Sequence, residues 1–280
     1  RIGEADALLE TLGFLDGAGK IRNDRRRKYE QVDHFVERLE PVLEELAATR
    51  DEIRVLDCAC GKSALSFVLN YHIRERMGTR CRFLGLDLAP GVIRSSREMA
   101  DALGYRNMTF RVQDLRSWEP DPAFPVDLCM SLHACDAATD YGLHAGIRSG
   151  AAAIVCVPCC QRELLRQSYR FPELERGVLR HGVLRARLAD ILTDAMRFQL
   201  LLASGYDPVL IEYVSPVETP KNLMLLARRT GHRDIAAQEE YMALVERLGA
   251  DIALGRLLGL SDRGKGDWND ADDRGHEQPG

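Results

Sequence analysis

A chain of 280 residues suits one domain of generous size, or one domain with appendages. A net charge of −5 excludes a uniformly basic nucleic-acid binder, and no apolar run approaches the ~20 residues that a membrane helix needs. The polar, charge-interrupted start has no signal-peptide pattern, and the eight cysteines read as reduced thiols rather than a disulfide framework, so a cytoplasmic protein without membrane association is expected.

In chain order, residues 5–16 suggest a short amphipathic helix, and Tyr29 to Leu46 a longer one, with Val32, Phe35, Val36, Leu39, Val42, Leu43 and Leu46 at helical spacing. Between them lies a basic run, Lys20 to Lys28. The first strand is Ile53 to Asp57, followed by a turn of small residues and a helix marked by Leu65, Val68, Leu69, His72 and Ile73. Cys81 to Asp87 is a second strand ending in an acid, and Pro90 opens a helix that runs to about Leu103 and stops at Gly104. Met108 to Val112 is the third strand, Val126 to Ser131 the fourth and Ala152 to Val157 the fifth. An arginine-rich stretch over 162–187 precedes a helix from about Arg185 to Ser204. Tyr206 to Val214 and Leu223 to Arg228 read as an antiparallel hairpin, Asp234 to about Leu258 as one final helix, and the polar tail from Ser261 as disordered. The division expected is a helical cap over 1–50, a sheet domain over 51–230, a helix over 231–260 and a tail over 261–280.

The most informative stretch is Asp57-Cys58-Ala59-Cys60-Gly61-Lys62-Ser63. Strand, small-residue turn and helix together bring backbone N–H groups up to a nucleotide-like ligand. A phosphate-cradling P-loop needs a glycine where Leu56 stands, and a dinucleotide fingerprint needs two further glycines that are absent. What remains is either a plain strand-to-helix connection or a turn opened by an acid, which suits a ligand bearing a cationic amino group and no phosphate. Asp87, with Leu88 beside it, is placed to accept from a ribose diol, and Gln113, Asp114 and Leu115 follow the third strand where an adenine amino group would lie. The fourth strand, ending in Ser131, runs into Leu132-His133-Ala134-Cys135-Asp136, and the fifth into Pro158-Cys159-Cys160-Gln161. Ligands of open α/β sheets lie outside the carboxyl ends of the strands where strand order reverses, so the loops richest in reactive side chains fall where chemistry is expected.

Three stretches then match one family: Asp57 to Lys62 with Leu65, His133 to Asp140, and Pro158 to Gln161. Lys28, Gln31 and Thr219-Pro220-Lys221-Asn222 agree with them. The chain resembles the class I S-adenosyl-L-methionine (SAM)-dependent methyltransferases, in the group that holds uncharacterised bacterial members and the eukaryotic tRNA 2′-O-ribose methyltransferases. The resemblance implies an α/β, Rossmann-like fold with a seven-stranded, mostly parallel sheet, an antiparallel C-terminal hairpin and extra N-terminal helices. It implies SAM as cofactor, and Asp57, Cys58, Ala59, Cys60, Gly61, Lys62, Asp87, Leu88, Gln113, Asp114, Leu115, Ser131, Leu132 and His133 as the residues around it. It also departs from the group: the zinc-binding modules of the RNA-acting members have no counterpart in the N-terminal part, and Gln161 stands where other members have histidine.

Transfer of a methyl group to a hydroxyl or amine needs a proton removed, and His133 is the natural base, oriented by Asp136 or Asp140. Cys135, Cys159 and Cys160 permit a thiolate nucleophile instead, while Cys58 and Cys60 read as apolar lining. His133, Cys135, Cys159 and Cys160 have chemistry suited to zinc or iron, but they come from two loops and lack paired C-x₂-C spacing, so no metal is assigned. The expected acceptor is RNA, at a ribose hydroxyl or base nitrogen, contacted through the basic segments 20–28 and 162–187. A small molecule or protein side chain is the alternative, and a non-catalytic SAM-fold binding protein the second.

Overall fold

The computed structural model describes residues 3–132, 134, 136–159, 161–214 and 222–261. Two helices come first, α1 (Asp6–Thr11) and α2 (Arg26–Thr49). Strands and helices then alternate: β1 (Glu52–Cys58), α3 (Ala64–Tyr71), β2 (Arg80–Asp87), α4 (Pro90–Ala102), β3 (Met108–Val112), β4 (Leu128–Ser131), α5 (Ala137–Ser149), β5 (Ala153–Cys156), α6 (Glu163–Arg166) and α7 (Gly182–Ala203). β6 (Tyr206–Glu212), β7 (Leu223–Arg229), α8 (Ile235–Leu248) and α9 (Ala253–Leu257) follow. The seven strands form one sheet in the order β3-β2-β1-β4-β5-β7-β6. β1 to β5 pair in parallel, and β7 is antiparallel to both β5 and β6. The expected architecture is therefore the observed one.

Period-two alternation along the strands sends their side chains into two apolar layers. Ile53 and Val55 of β1, Leu128 and Met130 of β4 and Val155 of β5 pack with α1, α2, α3 and α4. Leu56 and Cys58 of β1, Cys129 of β4 and Ile154 and Cys156 of β5 pack with α5, α7, α8 and α9. The helix after β1 thus covers one face and the helix after β4 the other, which opens a crevice between the ends of these two neighbouring strands. On α2, Phe35, Leu39 and Leu43 are buried at four-residue steps, each adding about 1.5–3 kcal/mol of transfer free energy. The long N-terminal helix is part of the core.

The elements differ from expectation in three places. The first helix stops at Thr11, and Leu15 instead bridges Ile21 in a short extended pair. The single final helix is two, because Gly249 takes a left-handed conformation (φ 64°) that ends α8 and turns the chain towards α9. On α3 the buried residues are Ser66, Phe67, Leu69 and Asn70, with Leu65 and Val68 only partly covered, so its core face is rotated from the one that apolar spacing indicates. The connection over 215–221 and the tail from 262 lie outside the described residues.

Gly85 of β2 lies so close to its neighbour that a Cβ there would sit 2.5 Å from Cδ1 of the buried Phe110 ring. Gly85→Ala should cost about 1–3 kcal/mol of stability through overpacking. Urea unfolding checks this, and an unchanged midpoint would show that the ring has room to move.

Candidate functional site

Asp57 is the last residue but one of β1, and the turn beyond Cys58 bends through left-handed conformations at Ala59 (φ 55°), Gly61 (φ 53°) and Ser63 (φ 54°). Such angles carry strain in residues other than glycine and persist only where surroundings hold them. Here the restraints are visible. Cys60 N–H donates to Leu86 O at 3.0 Å, Gly61 N–H to Asp87 Oδ2 at 2.9 Å, and Ser63 Oγ meets Ser96 Oγ at 3.1 Å. The second oxygen of Asp87 accepts from Ala89 N–H at 2.9 Å. One carboxylate at the tip of β2 therefore fixes both its own loop and the turn after β1.

Asp57 is almost fully buried, yet its side chain lines a cavity of about 480 Å³. Burial pushes its carboxyl up to about 7; a hydrogen bond from the Ser66 hydroxyl opposes the rise, and the neighbouring Asp87 adds to it. Among the described residues it has no cationic partner. Ala59, Cys60, Lys62 and Ser63 from the turn, Leu132 beyond β4 and Val157 beyond β5 complete the floor of the cavity, so it spans the point where strand order reverses. Its roof is the start of α2 with the residues before it: Asp24, Arg25, Arg27, Lys28, Gln31, Val32 and Phe35. Tyr213, past the end of β6, closes one side and meets the Phe35 ring edge-on at 6.4 Å between centroids.

Of the residues expected around a cofactor, Asp57, Ala59, Cys60, Lys62 and Leu132 share this cavity. Leu88 is exposed at the end of β2, as is Val112 at the end of β3, which leaves an apolar platform beside Asp87. Gln113 donates to Asp114 O and Ser117 Oγ, and Asp114 pairs with Arg116 at 2.8 Å, which holds its carboxyl below the usual range. Leu115 packs against the second apolar layer. Two expected residues turn away from the cavity. Cys58 faces Cys129 across 3.9 Å, and Ser131 points at Gly142 of α5, its hydroxyl buried with no partner among the described residues. Strand alternation explains both, since Asp57 and Leu132 each face the cavity and their immediate neighbours must face the opposite layer. The hydrogen bond with Cys129 and then burial raise the Cys58 thiol well above the ordinary range, and burial raises that of Cys60, so both are protonated and only Cys60 lines the cavity.

The loops after β4 and β5 carry the remaining candidates. His133, Cys135 and Cys160 lie outside the described residues, as does the proposed use of them with Cys159 in a metal site. Cys159 Sγ lies 4.0 Å from Ala134 O. Asp136 adopts φ 57° and ψ −125°, an uncommon conformation for a residue with a side chain. Its Oδ1 accepts from Arg162 N–H (2.9 Å) and Glu163 N–H (3.0 Å), and its other oxygen pairs with Arg166. Its carboxylate thus ties one loop to the other. Asp140 is likewise committed: Arg197, fully buried on α7, donates from Nε to Asp140 Oδ1 at 2.8 Å, from Nη1 to Asp194 at 3.2 Å and from Nη2 to Asp136 O at 3.1 Å. Gln161 completes the tie by donating to both oxygens of Asp194. Burial pushes Asp140 and Asp194 upward, and Arg197 pulls both back. Arg197 escaped the sequence reading because its partner Asp140 lies 57 positions away and its helix spacing resembles any amphipathic arginine.

Sequence comparison adds to this geometry. Residues 27–167, half of the chain, match the family described as "Methyltransferase domain". The chain belongs to this methyltransferase family. Aklanonic acid methyltransferase DauC of Streptomyces sp. (strain C5) is 34% identical over 84 residues, 29% of this chain, and the match spans 34% of that protein's length. Among solved structures, the methyltransferase is similar to magnesium protoporphyrin IX methyltransferase (ChlM) from Synechocystis PCC 6803 with bound SAH (15% identity, 80% of this chain and 93% of that chain, TM-score 0.41). It is also similar to the DszA carbon methyltransferase (14% identity, 72% and 55%, TM-score 0.46). Among the described residues no helix is long and apolar enough to cross a membrane.

Removing one member of a buried ion cluster leaves the others uncompensated. Arg197→Met should therefore destabilise the fold by about 3–5 kcal/mol, measured by urea unfolding. A loss below 1 kcal/mol would show that water enters to solvate Asp140.

Proposed function

We propose that the crevice across β1 and β4 is where this enzyme binds SAM and methylates a small acceptor held beneath the start of α2. The observation that carries this reading is the pairing of Asp57 and Asp87 on either side of a strained, hydrogen-bonded turn, with Asp57 buried, facing the cavity and lacking a cation. An acid in that state suits the ammonium of the cofactor's methionine end, and the turn's small side chains leave its backbone open to a ligand. When bound, the cofactor supplies a methyl group on a sulfonium, transferred by in-line displacement, so the protein's main task is positioning. Asp87 accepts from the ribose hydroxyls, with Leu88 as an apolar contact and Gln113, Asp114 and Leu115 near the adenine. His133, two positions past the end of β4, takes the proton released by the acceptor. Asp136 acts on the loops as a support, through its bonds to Arg162, Glu163 and Arg166.

A small acceptor is favoured by enclosure: α2 roofs the cavity, and its volume of about 480 Å³ has to hold the methionine end of the cofactor as well as the acceptor. The acceptor named for aklanonic acid methyltransferase is also a small molecule. RNA as the acceptor draws support from Arg27 and Lys28, which belong to the 20–28 basic run and stand at the cavity mouth. Segment 162–187 supports it less, because Arg166 is tied to Asp136, and Arg185 to Glu175 and to the carbonyls of Tyr169 and Leu179. Mass spectrometry of total RNA from cells with and without the gene separates the two: a missing methylated nucleoside identifies RNA, and an unchanged profile leaves the small acceptor.

Calorimetry with SAM and with its demethylated product should show binding of both, abolished by Asp87→Ala. Below pH 7 Asp57 is protonated, and taking up the ligand's ammonium must expel that proton, so affinity should rise with pH until about 7 and then level off. In Asp57→Asn binding should be weaker and the pH profile flat. A wild-type affinity that does not change between pH 5.5 and 8 would remove Asp57 from the ligand's contacts.

A further inference from the structure

The cavity carries more positive charge than its own acids or its cofactor can balance. Arg25, Arg27 and Lys28 reach it from the residues around the start of α2, and Lys62 from the turn after β1. Two acids line the same space. Asp24 is spent on Arg22 at 3.1 Å and Arg25 at 3.4 Å, and Asp57 is buried on the floor against Ser66. Among the described residues Arg27, Lys28 and Lys62 have no acidic partner. A single unpaired surface lysine is ordinary, but here cations from two separate elements converge on one concave space. The Lys28 ammonium is held below its usual range, first by burial and then by repulsion from Arg25 and Lys62. Like charges gathered in this way cost stability unless something negative is meant to sit among them. SAM does not answer that need. Its ammonium and sulfonium outnumber its one carboxylate, so it adds a positive charge to a positive site.

Further in, the walls change character. Val32, Phe35, Leu65, Leu132 and Tyr213 are apolar or aromatic, and the Phe35 and Tyr213 rings form a corner. The space therefore has a cationic mouth and an apolar, ring-lined interior, on a scale of about 480 Å³. A chain of phosphodiesters would satisfy the mouth but would bring polar sugars to the apolar wall.

We propose that the methyl acceptor is a small molecule with an apolar, ring-bearing body and an anionic group, carboxylate or phosphate, and that Arg27 and Lys28 recognise the anion with Lys62 opposite them. The inference rests on the reading of this cavity as the site of methyl transfer. The two ends of the acceptor are thereby distinguished: the anion is held at the mouth, and the atom to be methylated faces the floor between the turn and the loops after β4 and β5. Charge-assisted hydrogen bonds from guanidinium and ammonium give the anion its selectivity over a neutral analogue.

The test uses the full chain, saturated with the demethylated cofactor so that the cofactor's own carboxylate is already in place. Calorimetric titration with 2-naphthoate, 2-naphthyl phosphate and the neutral 2-naphthalenemethanol compares three probes with one ring body. At least one anion should bind about tenfold tighter than the alcohol. Arg27→Ala and Lys28→Ala should each cut that preference about fivefold or more and leave the affinity for the demethylated cofactor unchanged. The ratio between naphthoate and naphthyl phosphate tells which anion is meant. Equal binding of anion and alcohol, or an anion preference unaltered in both variants, overturns the inference while cofactor binding stands. Failure of the wild-type chain to bind the demethylated cofactor overturns the underlying reading as well. Salt-dependent binding of a short RNA hairpin, with no affinity for either naphthyl anion, would assign the cations to nucleic acid instead.

Discussion

The reversal of strand order between β1 and β4 is the constraint on which the rest of the molecule depends. Parallel strands joined by right-handed crossovers send the helix after β1 to one face and the helix after β4 to the other. That divergence leaves a space between the ends of the two strands. The polypeptide lines the gap with what it has on either side. On one side is the turn from Ala59 to Ser63, fixed by the carboxylate of Asp87; on the other are the loops after β4 and β5. Each component is held by contacts that run sideways along the edge of the sheet, so the shape of the crevice follows from the sheet and not from any ligand.

The two sides are stiffened in different ways. The turn after β1 relies on backbone amides donating to Asp87 and to Leu86 O, a local arrangement between adjacent strands. The loops after β4 and β5 rely on a buried ionic cluster in which Arg197 serves Asp140, Asp194 and the carbonyl of Asp136, while Asp136 serves the amides of Arg162 and Glu163. Burying such a cluster costs as much desolvation as it returns in attraction, so its value lies less in stability than in defining one arrangement of the loops. Arg256 repeats the device nearby, joining Glu163 at the start of α6 to Asp251 before α9.

Much of this was legible from the residues. The strand ends at Asp57, Asp87 and Ser131, the small-residue turn and the terminal hairpin follow from apolar patterning and from where acids and glycines fall. The direction of the Cys58 and Ser131 side chains, away from the cavity, follows from the alternation of a strand, which gives consecutive residues to opposite faces. The break at Gly249 was less legible, since the apolar spacing continues on both sides of it. Arg197 was beyond reach for a different reason: its part depends on contacts between segments far apart in sequence, about which local pattern is silent. Phe35 read correctly as a core residue on the inner face of its helix, but nothing in its spacing says that one edge of that core is open.

Phe35 belongs at once to the apolar layer beneath α2 and to the wall of the cavity. No scaffold stands between the protein's interior and the cavity; they share a surface. An occupant that packs against this ring completes a part of the interior that folding alone leaves unfinished, and by mass action it draws the whole folding equilibrium with it. The thermal midpoint of this protein is thus a function of the concentration of whatever fills the crevice, and heat resistance becomes a readout by which unknown occupants can be recognised.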